Sequence, residues 1–312
     1  MSALKVGTRG SALALAQTRA LAARFDVEVE IVEITTQGDT DRSSLQQIGG
    51  TGVFVSALRD ALLDGRVDVA VHSMKDLPTA DAPGIELAAV VKREDSRDAL
   101  CARDGLTFAE LPEGAQVGTG SPRRAAQLRV ARPDLEVVDI RGNVPTRLAR
   151  AQGDAETGEG ADLDAVVLAL AGLKRLGLEG AATDILDLID FPTAPAQGAL
   201  AVEIRADDAV ARKAVAKTDH ASTRAATAAE RRVLSRLEAG CAAPLAAHAE
   251  VVDGMLFLTA IAYATDGSSK LTASHAYTLD STRPAELQEA ALDVADRAVA
   301  ELMEAGAAEL IH

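Results

Sequence analysis

Three groups of residues in this chain have the type and spacing to do chemistry. The first is Cys241, one of only two cysteines, in the loop Leu237-Glu-Ala-Gly-Cys-Ala-Ala-Pro-Leu245 directly after a helical pattern. Taken locally, a cysteine among alanines reads as a small buried hydrophobe, and its neighbours alone do not make it a reactive thiol. The second group is a set of arginines at the ends of strand-like segments: Arg9, Arg123, Arg124, Arg141, Arg147 and Arg175. In an open α/β sheet the loops at the carboxyl ends of strands converge on the ligand crevice. Helix N-termini there add unpaired N–H groups, and arginine forks match carboxylates two bonds at a time. Singly each arginine reads as a solvated surface residue; at equivalent strand ends they imply a ligand with several carboxylates or phosphates. The third group is Lys75-Asp76, in the stretch His72-Ser-Met-Lys-Asp-Leu-Pro78. A carboxylate beside a cation in such a crevice can shuttle protons or stabilise positive charge, or form an ordinary loop ion pair.

The elements that must position these groups follow from periodicity. Leu4 to Thr8 reads as a strand, 11–24 as a helix, 27–31 as an alternating strand and 35–52 as a polar loop. Helix 53–64 leads to a buried strand at 67–71, and strand 85–91 closes the unit, a succession that predicts a parallel α/β sheet. A second unit repeats the theme. Strand 116–117 enters Gly118-Thr-Gly-Ser-Pro122 and an arginine-headed helix, strand 136–140 enters Arg141-Gly-Asn-Val-Pro145, and strand 165–170 precedes Lys174-Arg175. The polar segment 153–160 reads as an exposed insertion. The last hundred residues predict a small α+β domain: helix 222–237 with Val233, Leu234 and Leu237 on one face, strands 255–264 and 271–277, and helix 284–304.

Composition narrows the function. A net charge of −15 with 2% aromatic residues and no tryptophan argues against nucleic-acid binding. The five histidines have no spacing that gathers metal ligands, so no metal site is expected. The N-terminus lacks an apolar signal core, the longest apolar runs are too short to span a bilayer, and two cysteines make no disulfide framework, so a cytoplasmic protein is expected. No Walker loop or Ser-His-Asp order occurs, and the Gly-Thr-Gly at 118–120 is too short for a dinucleotide fingerprint.

With these segments in hand, the chain resembles the porphobilinogen deaminases, also called hydroxymethylbilane synthases, nearly end to end. The blocks that carry the likeness are GTRGSALALAQ, TTQGD, GGTGVFV, VDVAVHSMKDLP, GTGSPRR, RGNVPTRL, LALAGLKRLG, APAQGALAVEIR and ERRVLSRLEAGCAAPLAAHA. The resemblance implies an α/β fold of two doubly wound domains like the halves of type 2 periplasmic binding proteins, plus a small α+β C-terminal domain. The implied boundaries are 1–94 with 193–216, then 95–192, then 217–312. It implies a dipyrromethane cofactor, built from two substrate molecules and held by a thioether to Cys241, with no metal or nucleotide. Lys75, Thr119, Ser121, Arg123 and Arg124 would hold that cofactor. Arg9, Ser11, Arg141, Arg147 and Arg175 would receive porphobilinogen or the growing polypyrrole chain, and Asp76 would be the catalytic carboxylate. The implied reaction joins four porphobilinogens head to tail with loss of ammonia at each step and then releases linear hydroxymethylbilane. A monomer is expected, with transient contact to the next enzyme of the pathway as the one protein partner.

Two departures from the family pattern stand out. The loop before GTGVFV often carries lysines, where this chain has Gln47 and Thr51. The cysteine motif usually has a β-branched residue two places after the cysteine, where this chain has Ala243. Cys101 matches no functional position and is expected in the core. The competing reading is a non-enzymatic binding protein for an anionic small molecule on the same two-lobed fold. The missing signal segment and the cysteine-bearing third domain weigh against it.

Overall fold

A computed structural model describes residues 3–35, 52–153, 160–238 and 243–311. In chain order, the first lobe begins with β1 (Leu4–Arg9), α1 (Ala12–Ala22), β2 (Val29–Ile34), α2 (Gly52–Leu63), β3 (Val69–Ser73) and β4 (Ile85–Val90). The second lobe holds β5 (Asp98–Ala102), β6 (Gln116–Gly118), α3 (Pro122–Ala131), β7 (Glu136–Val138), α4 (Val144–Gln152), β8 (Ala165–Ala169), α5 (Leu170–Arg175) and β9 (Asp184–Ile185). The chain then returns through β10 (Leu200–Arg205) and α6 (Ala209–Val215). The third unit follows with α7 (Ala221–Arg236), β11 (Leu245–Val252), β12 (Met255–Tyr263), β13 (Lys270–Thr278), α8 (Pro284–Glu304) and α9 (Ala307–Ile311).

Both lobes are built on one plan. The first sheet runs β2-β1-β3-β10-β4 and the second β7-β6-β8-β5-β9. In each, three parallel strands are followed by one antiparallel strand, β10 against β3 and β5 against β8. The parallel α/β sheet expected from the alternation of strands and helices is present in both lobes, each with an added antiparallel strand. The reason for the antiparallel strands is the route of the chain: β5 and β10 each arrive from the other lobe through a crossover without a helix packed on their own sheet, and enter from the opposite end. The central strands β3 and β8 are buried on both faces, which explains their continuous runs of Val, Ala and Leu.

Side-chain caps start the helices that face the crevice. Ser11 accepts the Ala14 N–H at the head of α1, Ser121 accepts the Arg124 N–H at α3, and Asn143 accepts the Thr146 N–H at α4. Each cap satisfies a donor that the helix cannot, and with Pro122 and Pro145 in the first turns it fixes where these helices begin.

The third unit is an antiparallel sheet, β11-β12-β13, covered by α7 and α8. Its core is rich in alanine (Ala225, Ala229, Ala290, Ala295 and Ala298), and these small side chains let the two helices lie close to each other and to the sheet. Val233 and Leu237 are buried and Leu234 packs against them, as the helical face required. β11 is not legible in the sequence, because Leu245-Ala-Ala-His-Ala has little β-propensity of its own; pairing with β12 along its whole length makes it a strand. The loop expected at 35–52 falls almost wholly outside the described residues, as do 154–159 of the expected insertion and 239–242 around Cys241.

Candidate functional site

The carboxyl ends of the parallel strands deliver the chemistry. β1 ends in Arg9 and leads through Ser11 into α1; β3 leads into a single 3₁₀ turn, Met74–Asp76, that presents Lys75 and Asp76. β6 leads through Thr119 and Ser121 into the helix carrying Arg123 and Arg124, and β8 leads into the helix carrying Arg175. The side chains gather in two adjoining crevices that share Leu13 and Ser73. One, of about 550 Å³, is lined by Lys75, Arg124, Arg147, Arg175 and Gln197; the other, of about 450 Å³, by Arg9, Ser11, Gln17, His72 and Asp76.

Behind the larger crevice lies a buried charge cluster. Arg124 donates from Nη2 to Asp98 Oδ1 at 2.7 Å, Arg123 from Nη2 to Asp98 Oδ2 at 2.8 Å, and Gln197 from Nε2 to Asp98 Oδ1 at 2.7 Å. Asp98 is 0% exposed. Burial alone would raise its pKa, but the two guanidinium groups and these hydrogen bonds hold its carboxyl well below the usual carboxylate range. Lys75 donates to Gln197 Oε1 at 3.4 Å. Its amine is pushed down to about 8, first by burial and then by Arg124, with Asp76 and Asp98 partly opposing them. Burial, with the neighbouring Arg124 and Arg141, lowers the Arg147 guanidinium, and burial likewise lowers that of Arg175. Among the described residues the crevice is lined by four cations and no carboxylate, with Asp98 buried behind it and Asp76, Glu94 and Asp139 near Lys75, Arg175 and Arg147. Arg124 Nε, like Arg123 Nε and Arg141 Nε, is buried without a hydrogen-bond partner.

The expected residues do not all stand at the same distance from the crevice. Arg124, Arg147, Arg175 and Lys75 line one pocket, and Arg9, Ser11 and Asp76 the other. Arg123 sits behind Arg124, 3% exposed, with Nη1 donating to Gln127 Oε1 and the Pro192 carbonyl. Thr119 is buried, and its Oγ1 accepts the Ser121 N–H at 3.2 Å. Arg141 lines neither pocket; it lies close enough to Arg147 to act on its charge and is 3.4 Å from Asp139. Arg175 donates to the Gly198 carbonyl at 2.6 Å, a contact that spans the lobes. Gly198 has φ +87°, and a Cβ there would lie 2.6 Å from the Glu94 carbonyl oxygen, so only glycine fits. Cys241, Gln47 and Thr51 lie outside the described residues. Cys101 is fully buried and its thiol is pushed up to about 12, as an inert core position requires.

Two further residues, Arg231 and Glu230 at the head of the ERRVLSRLEAGCAAPLAAHA block, join the third unit to the crevice. Arg231 of α7 donates to the carbonyls of Leu77 at 2.8 Å and Pro78 at 2.7 Å, gripping the turn that carries Lys75 and Asp76. Glu230, 0% exposed, accepts two bonds from Arg93 at 2.6 and 3.1 Å and the N–H groups of Ala196 and Ala249. It thereby ties the third unit to both crossovers between the lobes. Nothing local marks Asp98, or singles out Gln197 and Glu230 within their blocks, as site residues, because their partners are distant in the chain.

Fold and site together define a two-lobed class in which matching strand ends enclose a cationic crevice and a third unit clamps the turn carrying a carboxylate. Comparison with known proteins makes this specific. The family model described as "Porphobilinogen deaminase, dipyromethane cofactor binding domain" matches residues 4–213, and "Porphobilinogen deaminase, C-terminal domain" matches residues 225–305. The chain is 60% identical to the porphobilinogen deaminase of Leifsonia xyli subsp. xyli, covering 99% of this chain and 94% of that protein. It is 52% identical to that of Thermobifida fusca, covering 98% and 95%. A solved nutrient-binding protein from Burkholderia cenocepacia bound to methionine aligns with a TM-score of 0.41 at 15% identity, over 69% of this chain and 90% of that one. The chain belongs to the porphobilinogen deaminase family. It is an enzyme of tetrapyrrole biosynthesis that uses porphobilinogen as substrate, and the non-enzymatic reading falls away. No described helix is long and apolar enough to cross a membrane.

Proposed function

We propose that the two crevices form one continuous site for a lengthening polycarboxylate, in which four porphobilinogens are joined head to tail on a dipyrromethane attached to Cys241 and released as hydroxymethylbilane. The observation that carries this reading is the cationic lining formed by Lys75, Arg124, Arg147 and Arg175, with Asp98 buried behind it. Each pyrrole ring of the substrate brings an acetate and a propionate, so a cationic crevice in a chain of net charge −15 matches this ligand. The same cationic lining is what a four-carboxylate cofactor needs, so the residues present fit it. Bound there, the cofactor would supply the ring carbon to which the first substrate is joined.

This chain's own residues have separable tasks. Lys75, Arg123 and Arg124, with Thr119 and Ser121 at the head of α3, hold the cofactor carboxylates or the loop that faces them. Arg9 and Ser11 receive the incoming substrate beside Asp76, and Arg141, Arg147 and Arg175 receive the chain as it grows. The Asp76 carboxylate accepts the substrate's pyrrole N–H, stabilises positive charge as ammonia leaves, and takes up the proton lost when two rings join. Domain boundaries at 1–94 with 193–216, 95–192 and 217–312, a monomeric state, a cytoplasmic location and transient contact with the next enzyme of the pathway belong to the same reading.

The test is the intact mass of purified protein. Wild type and Cys101→Ala should both carry two linked pyrrole units, and Cys241→Ala should carry none and be inactive. An adduct on Cys101, or active enzyme with no adduct, would overturn the reading.

A further inference from the structure

The structure assigns to Asp98 the role of a positioning residue that sets the cofactor-holding groups from behind, orienting Arg123 and Arg124 directly and Lys75 through Gln197. This inference rests on the function proposed above and names a residue outside that set. Asp98 is the first residue of β5, where the crossover from the first lobe ends, and it makes no opening to the crevice. Its two oxygens receive three donors at 2.7 to 2.8 Å, from Arg124, Gln197 and Arg123. Gln197 lies in the opposite crossover, and its Nε2 also donates to the Ser96 carbonyl at 2.7 Å. Those two bonds fix the amide, so its Oε1 is left facing Lys75 at 3.4 Å and Arg124 at 3.3 Å.

The result is that one carboxylate holds three cationic side chains in register across both lobes. Arg124 is further fixed by Nη1 to the Val167 carbonyl, which leaves its Nε as the unpartnered donor. Arg123 is fixed by Gln127, whose Nε2 reaches Pro192 O at 2.7 Å and Tyr263 Oη of β12 at 3.3 Å. A free carboxylate elsewhere could balance the charge. Only one placed between the two guanidinium groups, with an amide on its other flank, also fixes their direction. Two arginines and a lysine without it would repel each other and turn toward whatever acceptor is nearest.

The experiment compares wild type with Asp98→Asn, which keeps the shape and removes the charge. Charge-assisted bonds of this kind carry roughly ten- to a hundredfold each in an equilibrium. Cofactor occupancy by intact mass is therefore expected to fall at least about tenfold in a protein with wild-type circular dichroism. A second reading separates positioning from bulk structure: the titration of Lys75, followed by ¹³C-reductive methylation in the Cys241→Ala background and assigned with Lys75→Met. The charged groups facing Lys75 are Arg124, Arg123, Asp76 and Asp98. Removing the Asp98 charge is expected to move its titration below the wild-type position.

Full occupancy in folded Asp98→Asn, or an unmoved Lys75 titration, overturns the assignment. Should Asp98→Asn not fold, Asp98→Glu carries the test, because it keeps the charge and displaces the guanidinium groups by one methylene. Reduced occupancy in that variant supports positioning, and full occupancy overturns it. Failure of both variants to fold would show a contribution to stability alone and would also overturn it. Wild-type protein without adduct would instead refute the cofactor reading on which the assignment stands.

Discussion

If Lys75 titrates near pH 8, the grip of the larger crevice on carboxylates must depend on pH in a window where nothing else lining it titrates. A lysine with a lowered pKa is charged below about pH 8 and neutral above it, whereas the unfolded chain would hold the same proton to about 10.5. Carboxylates favour the charged form, so their binding weakens as pH rises through 8 and takes up a proton as it occurs. With a pKa of about 8, the charged fraction falls from roughly three-quarters at pH 7.5 to roughly one-tenth at pH 9. A ligand that requires the charge therefore loses roughly eightfold in apparent affinity over that interval. Lys75 is half-buried and lines the crevice. For folding without ligand the sign is opposite: stability from this group rises between pH 8 and 10.5, where the unfolded state binds more protons. The assay is calorimetric titration of Cys241→Ala protein, whose crevice is intact, with a small tetracarboxylate in two buffers of different ionisation enthalpy. Proton uptake near half an equivalent is expected at pH 8. Affinity independent of pH, or the same pH dependence in Cys241→Ala/Lys75→Met, would refute the reasoning.

Other consequences follow from the same geometry. Asp76→Asn should fold and retain cofactor while turnover drops by about a hundred- to ten-thousandfold, measured as ammonia release; near wild-type turnover would make Asp76 a structural loop partner. Arg175→Lys and Arg147→Lys should keep the adduct but stall elongation at particular chain lengths, visible on anion exchange because each ring adds two carboxylates; a uniform loss of affinity for free substrate would contradict this. Arg231→Met should loosen the 74–78 turn, lowering turnover through Asp76 with the adduct still present, and hydrogen exchange at Leu77 should rise; unchanged exchange and turnover would deny the clamp.

The periodic elements were legible because their residues face the core on their own account. Strand Val69–Ser73 and helix Pro284–Glu304 carry their burial pattern locally, and the capping residues Ser11, Ser121 and Asn143 mark helix starts in the sequence itself. The arginines could be grouped because strand ends converge in any open α/β sheet. What could not be read is what depends on the crossovers. That β5 and β10 run antiparallel, that Asp98 meets Gln197 across 99 positions, and that Arg231 reaches Pro78 across 153 are consequences of the chain passing twice between lobes. Strand β11 was hidden for another reason: alanines fit a tight sheet–helix interface without announcing a strand.

The central claim is that one crevice builds one chain on one covalent primer. It is tested most directly by mixing the purified enzyme with less than four equivalents of porphobilinogen and recording the intact protein mass at once. The account predicts a ladder of species on the primed protein, heavier by one, two, three and then four rings, each ring having lost one ammonia, with the ladder absent from Cys241→Ala. Ammonia release and product formation with no enzyme-bound intermediates, or a ladder that persists in Cys241→Ala, would contradict it.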